Sequence, residues 1–384
     1  MKAIVDLHKA LEAAPDQARD LLEKFVTEHS FPLVSLETVT FFFWDGQPVD
    51  QVFLIHWVFG LESRQPFQRI EGTDALFLSL ELPHGARIEY KFEVVRGATR
   101  LLVRDPLNPR LALDPFGANS VCPMAGYVEP AWAQEERGVR PGQLETMTIA
   151  SSAWGEHRDL KVYLPNEYRA HKSYPLLIVH DGDDYLRFAN MKTVLDNLIQ
   201  RHEVRPLIAV FTSGGAKRNE EYGANPLQAK FIVEDVLDAV TRQYKISDDP
   251  ADRGLMGASF GAVSSLYTAW NYPGLFGRLL LQSGSFVFTD IGHHNRAPLW
   301  DPIVRFVNEL RTDPARVKAK VFMSCGVHES LIYYNRSMAP LLRNSGLEVQ
   351  FVESRDGHNW ICWRDRLREG LSYLYTGYLW MTYD

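Results

Sequence analysis

Cysteine, positive charge and long apolar runs are all scarce in this chain, and each shortage removes a class of protein. The three cysteines among 384 residues, Cys122, Cys325 and Cys362, are odd in number and far apart. That suits reduced, mostly buried thiols better than a disulfide framework or a zinc site. A formal net charge of -7 and a pI near 6.0 leave no electrostatic footprint for nucleic acid or for an anionic membrane, and no run of like charges suggests a tail. From Met1 to Lys9, charged residues arrive before any apolar run could build a signal segment, and no uninterrupted apolar stretch is long enough to span a bilayer. The expectation is a cytoplasmic protein with neither nucleic acid nor membrane as partner. Internal repeats and low-complexity segments are also missing, which excludes solenoids and arrays.

What is present is the balance of a soluble globular protein, 46% hydrophobic and 23% charged, at a length that predicts two domains. Ile4, Leu7 and Leu11 share one helical face, and after Pro15 so do Leu21, Leu22, Phe25 and Val26, so two short amphipathic helices open the chain. From Thr38 the period changes to that of strands, over 38–44, 52–57, 76–82 and 87–95, with Ile88, Tyr90, Phe92 and Val94 alternating with polar neighbours. Turn signals at Asp45-Gly46, Glu71-Gly72 and Pro83-His84-Gly85 make this a small antiparallel β-sandwich. Its aromatic residues, Trp44, Trp57 and Phe59 among them, are expected in the core rather than on a sugar-binding platform.

Turn residues crowd 105–109, 114–117 and 137–142, a stretch without sustained periodicity, which predicts a linker and divides the chain into 1–143 and 144–384. Beyond it, strands near 145–151, 159–164, 176–180, 207–211, 253–257, 279–282, 321–325 and 348–352 interleave with helices near 190–201, 228–244, 261–271, 302–311, 335–344 and 363–375. Such alternation predicts a mostly parallel sheet with helices on both faces, an α/β-hydrolase domain.

The chemistry centres on Gly257-Ala258-Ser259-Phe260-Gly261, where an apolar strand gives way to a small-residue helix. A serine there reads as a nucleophile elbow, because only small residues two positions away let so sharp a turn close. The base belongs on a loop after the last strand, where His358 is the histidine available, and an acid belongs after the preceding strand, where Glu329 stands. Asp356, close to His358 in sequence, is the competing acid, and a dyad without an acid is the third possibility. The oxyanion donors are expected to be the N–H of Phe260 and a donor from His180-Asp181-Gly182-Asp183. A metal site built from Asp181, Asp183 and Asp184 is the weaker reading of that turn, His328-Glu329 lacks the second histidine of a zinc motif, and His293-His294 reads as solvated. No metal or organic cofactor is called for.

With these residues in place the chain resembles the enterochelin (enterobactin) esterases, the ferric-siderophore esterases of the wider esterase D group, over nearly its whole length. The resemblance rests on Asp105-Pro106-Leu107-Asn108-Pro109, Tyr163-Leu164-Pro165, His180-Asp181-Gly182, the elbow, and Gly357-His358-Asn359-Trp360 followed by Trp363-Arg364. It implies Ser259 as nucleophile, His358 as base, Gly182 in the oxyanion loop, and a ferric catecholate siderophore as the ester hydrolysed for intracellular iron release. Lys217-Arg218-Asn219-Glu220-Glu221-Tyr222 is similar to the family's arginine-containing substrate loop, so Arg218 is the expected anion contact, with Lys217 and Arg187 in secondary places. The chain departs from the family at Gly261-Ala262, where Gly-Gly is usual, and at Asp183-Asp184, where a Glu is usual. Relatives with this hydrolase domain act on feruloyl, acetyl or other acyl esters, which is the alternative function, with the first domain as a carbohydrate-binding accessory.

Overall fold

The apolar stripes at the start of the chain form the helices Lys2–Ala13 and Ala18–Glu28, whose buried Ile4, Leu7, Leu11, Leu22 and Phe25 pack with Phe31, Phe42, Ile70 and Ala75. Leu21 and Val26, at the margin of the second stripe, are only partly buried. This is a computed structural model that describes residues 2–290 and 294–377. The chain divides into two units: the residues up to Val128 with Gly326–Glu329 and Ser354–Asn359, and Glu129–Cys325 with Ser330–Glu353 and the chain from Trp360.

In the first unit the alternating runs form two antiparallel sheets. One has the order Leu33–Val34, Thr38–Phe43, Leu76–Glu81, Gln68–Arg69; the other runs Arg64–Pro66, Gln51–His56, Arg87–Arg96, Gly117–Pro123, Leu111–Asp114, with Thr99–Val103 also on Arg87–Arg96. Ile88, Tyr90, Phe92 and Val94 face Val39, Phe41 and Phe43 in a shared core, as a period of two dictates. Two expectations are corrected. Residues 111–123 are strands rather than linker, because Asp105 accepts the Tyr90 hydroxyl at 2.6 Å and Asn108 donates to the Val121 carbonyl at 2.8 Å, pinning the Asp-Pro-Leu-Asn-Pro stretch to the sheet. Trp57 and Phe59 are 58% and 43% exposed rather than core, since they lie beyond the end of Gln51–His56, where the sandwich no longer covers them.

The second unit is built on eight strands: β1 Gln143–Ser151, β2 Glu156–Leu164, β3 Leu176–Val179, β4 Ile208–Phe211, β5 Arg253–Ala258, β6 Arg278–Gln282, β7 Lys320–Gly326 and β8 Val349–Ser354. Their spatial order is β1-β2-β4-β3-β5-β6-β7-β8. β1 and β2 pair antiparallel and β2 meets β4 antiparallel, whereas β4, β3, β5, β6 and β7 run parallel. The Val321 N–H bonds to the Glu348 carbonyl and the Val327 N–H to the Ser354 carbonyl, a constant offset that makes β8 parallel too. Helices including Phe260–Asn271, Asp301–Thr312 and Ile332–Asn344 cover one face, and Met191–Gln200 and Leu367–Leu374 the other. This is the α/β-hydrolase arrangement. The helix expected over 228–244 widens into a π-helical turn at Phe231–Leu237, where Asp235 accepts hydrogen bonds from Ser151 and Ser152, each at 2.8 Å.

All three cysteines are buried, and burial pushes the Cys122 thiol up to about 12, the condition of an inert structural cysteine. Among the described residues no helix is long and apolar enough to cross a membrane.

Candidate active site

Ser259 stands between the end of β5 and the first residue of the helix Phe260–Asn271, with φ 56° and ψ -119°, a backbone conformation that L-residues adopt only when the surroundings compel it. Here the surroundings do. A Cβ on Gly257 would lie 2.4 to 2.8 Å from the backbone of Gly261, so the turn closes only with glycine two residues before the serine. The Ser259 N–H is held by the Gln282 carbonyl at 2.9 Å, and its half-buried hydroxyl lies 3.2 Å from that of Ser285. Beneath the elbow, buried His180 lies 3.1 Å from both the Met256 carbonyl and Ser265 Oγ through Nδ1, and 3.0 Å from Ser264 Oγ through Nε2. Burial lowers its pKa to about 4, so it serves as a neutral brace.

After β3, the amide expected as the second oxyanion donor is already bonded. The Gly182 N–H donates to the Thr212 carbonyl at 2.7 Å and is therefore spent. What Gly182 supplies is space, since a Cβ there would meet Phe211 Cβ at 2.3 Å and its Cα at 2.5 Å. The residue begins a short helix, Gly182–Phe188, that periodicity could not reveal. The first amides of a helix have no partner within it, and Asp183 and Phe260 each stand in the first turn of a helix. Asp181, at φ 54°, shapes this turn as expected, and Arg218 grips it: Nε donates to Oδ1 at 2.5 Å and Nη2 to Oδ2. Arg218 is thus the partner of a buried carboxylate. The same pairing removes Asp181 from any metal site, while Asp183 accepts from Ser213 at 2.8 Å. Among the described residues no three His, Cys, Asp or Glu side chains gather as a metal would require.

In the other unit Glu329 and His358 meet. Nδ1 of His358 is 2.5 Å from Oε2 of Glu329, whose Oε1 accepts the Gly326 N–H at 2.9 Å. Glu329 is 4% exposed, and a carboxylate on Nδ1 leaves the Nε2 lone pair for a proton. Asp356 is not aimed at His358. It is buried against Arg87, Nη1 lying 3.3 and 3.2 Å from its two oxygens, and burial raises its carboxyl to about 6 despite the guanidinium.

His294 is not solvated as expected: Nδ1 accepts the Arg296 N–H at 3.2 Å and Nε2 lies 3.0 Å from Asp301. His293 lies outside the described residues. Sequence reasoning passed over Ser285, whose turn is fixed by Asn335 bonding both the N–H and the carbonyl of Gly284, at 3.1 and 2.9 Å. The signal available was Ser283-Gly284-Ser285 directly after β6, a second small-residue turn beside the elbow strand.

Residues 151–374 match the model of a family described as putative esterase. The Iron(III) enterobactin esterase of Escherichia coli is 25% identical over 340 residues, 81% of this chain and 82% of that enzyme. That of Dickeya dadantii is 27% identical over 212 residues, 53% of this chain and 48% of its own length, so that match spans about half of the relative. The crystal structure of a ferric enterobactin esterase from Salmonella typhimurium superposes with a TM-score of 0.76 at 22% identity, over 92% of this chain and 98% of that one, a likeness of fold. With more than half of its length inside the family model, the chain belongs to the putative esterase family and is a carboxylic ester hydrolase.

Proposed function

We propose that the chain hydrolyses the ester bonds of a catecholate siderophore, ferric or iron-free, through an acyl-enzyme on Ser259. His358 takes the Ser259 proton as Oγ attacks the carbonyl carbon, and the amides of Phe260 and Asp183 hold the oxyanion. The ester C–O bond breaks, the alcohol leaves with the proton from His358, and a water activated by the same imidazole then releases the acid and restores Ser259. Glu329 keeps the imidazole in the working tautomer. Opening the lactone ring of a hexadentate iron chelate loosens its cage, so the hydrolysis would serve iron release.

The observation that carries this reading is the elbow, a serine held at positive φ by a glycine contact that admits no Cβ. Chain order supports joining it to the acid–base pair, because Ser259, Glu329 and His358 follow one another in the order nucleophile, acid, base that serine hydrolases of this fold use. The siderophore class is supported by the enterobactin esterases matched over most of both chains. The test is mass spectrometry of products after incubation with ferric and iron-free triscatecholate trilactone, beside feruloyl and acetyl esters, with Ser259→Ala and His358→Ala as controls. Ring-opened trilactone from the native chain, and none from either variant, is expected. Turnover of feruloyl or acetyl esters alone would discard the siderophore, and activity above about a tenth of native in either variant would discard that residue's role.

A further inference from the structure

The loop that carries His358 is gathered by a single arginine from the strand Arg87–Arg96. Arg87 is 3% exposed, and its Nη1 donates to the Asp356 carboxylate and, at 3.1 Å, to Asn359 Oδ1, so its contacts bracket His358 on both sides. Nη2 donates to Glu89 at 2.9 Å. Asp356 Oδ1 also accepts from the Gly357 N–H and from Asn359 Nδ2, both at 2.7 Å, closing a network that includes the residues immediately before and after the histidine. The backbone joins in: the Arg87 N–H donates to the Arg355 carbonyl at 2.9 Å, the His328 N–H to the Asp356 carbonyl at 3.1 Å, and the Phe59 N–H to the His328 carbonyl at 2.7 Å. The last two contacts tie down the segment next to Glu329.

Packing of the sandwich does not account for this. Ile88, Tyr90, Phe92 and Val94 point into its core, so Arg87 and Glu89 lie on the opposite face by strand alternation, and it is the 355–359 loop that closes over Arg87. Burying a guanidinium is costly unless its donors are met by fixed acceptors, and three of the acceptor oxygens here belong to the residues flanking His358. We propose that Arg87 is a positioning residue for His358, holding the base and, through His328, the Glu329 segment in working register, so that the residues before Val128 are part of the catalytic apparatus and not an accessory.

The inference rests on His358 being the base, and its test keeps the two claims apart. In the full chain, Arg87→Gln and Asp356→Asn are assayed with p-nitrophenyl acetate, and the competent serine is counted by exhaustive fluorophosphonate labelling. A positioning role predicts a native titratable fraction, kcat per titrated site lower by about ten- to a hundredfold as expected for a misplaced group, KM changed by less than about threefold, and a double variant no worse than the worse single one. A merely structural role would lower the titratable fraction and leave kcat per site native, and that result overturns the proposal. Should Arg87→Gln not fold, Asp356→Asn, which leaves Arg87 paired with Glu89, decides alone: kcat per site within twofold of native overturns it. If His358→Ala stays active the catalytic reading itself fails; if His358→Ala is inert while Asp356→Asn is native, only the positioning role fails.

Discussion

Replacing Glu329 by glutamine keeps the shape of the side chain and reverses its hydrogen-bonding logic. In the native pair Oε1 accepts the Gly326 N–H at 2.9 Å while Oε2 faces His358 Nδ1 at 2.5 Å. Glutamine can keep its carbonyl oxygen toward Gly326 only by turning its NH2 toward Nδ1, which occupies that lone pair and drives the proton to Nε2, the atom that in the proposed mechanism must be bare to accept the serine proton. The opposite flip restores the tautomer but sets NH2 against a buried N–H. Losing a charge-assisted hydrogen bond costs about 1.5–3 kcal/mol and an unsatisfied buried donor about 1–3 kcal/mol. Together these are about 2.5–6 kcal/mol, or two to four orders of magnitude in kcat at about 1.4 kcal/mol per decade. Asp356 cannot substitute, because its oxygens are committed to Arg87, Asn359 and the Gly357 amide. The assay is kcat on p-nitrophenyl acetate with circular dichroism as the check on folding. A folded Glu329→Gln enzyme within about threefold of native would refute the acid's role and leave a serine–histidine dyad.

Three further outcomes follow from the geometry. Gly182→Ala places a Cβ 2.3 Å from Phe211 Cβ and 2.5 Å from its Cα, where backbone cannot yield, so it should destabilise by about 1–3 kcal/mol; Gly261→Ala, whose nearest neighbour is His180 Cβ at 3.3 Å, should lower the melting temperature less, and equal melting of the two would contradict the contact. Arg218→Ala should lower kcat on neutral and anionic esters alike, since it releases the Asp181 turn; a variant altered only in KM for an anionic ester would restore Arg218 as an anion contact. Burial raises the Asp105 carboxyl from 3.8 to about 6, so the folded state binds that proton more tightly than the unfolded one, and the stability it contributes is full below the unfolded pKa and lost as pH rises through 6. Asp105→Asn removes this dependence, so its melting temperature relative to native should improve between pH 4.5 and 7.5, by the equivalent of about 2 kcal/mol; a difference independent of pH would show that Asp105 does not titrate in that range.

What could be read in the sequence is what depends on chain neighbours. The elbow is local, a serine with glycine two residues to either side between an apolar strand and a small-residue helix, and the structure places Ser259 in that turn. The strands of the sheet were legible because near-continuous apolar runs between helical patterns have few other uses. Chain order alone names Glu329 and His358 as the candidate acid and base, without showing that their side chains meet. What failed is what depends on pairing between distant segments. Arg218 in a glycine-containing loop looks like a free cation until Asp181 appears beside it, and the Gly182 N–H looks like an available donor until the Thr212 carbonyl is found accepting it.

Arg87 is the sharpest case, since its place in the strand pattern reads as an outward-facing, solvated position. Alternation with Ile88 and Tyr90 assigns the residue's face correctly and its exposure wrongly, because a pattern of period two reports which residues a sheet's own core buries and is blind to a loop arriving from far along the chain. A charged residue on the polar face of a strand is therefore uninformative in sequence and highly informative once found 3% exposed. Burial without the sandwich core means that the covering loop supplies the compensation, and here the covering loop holds the proposed base.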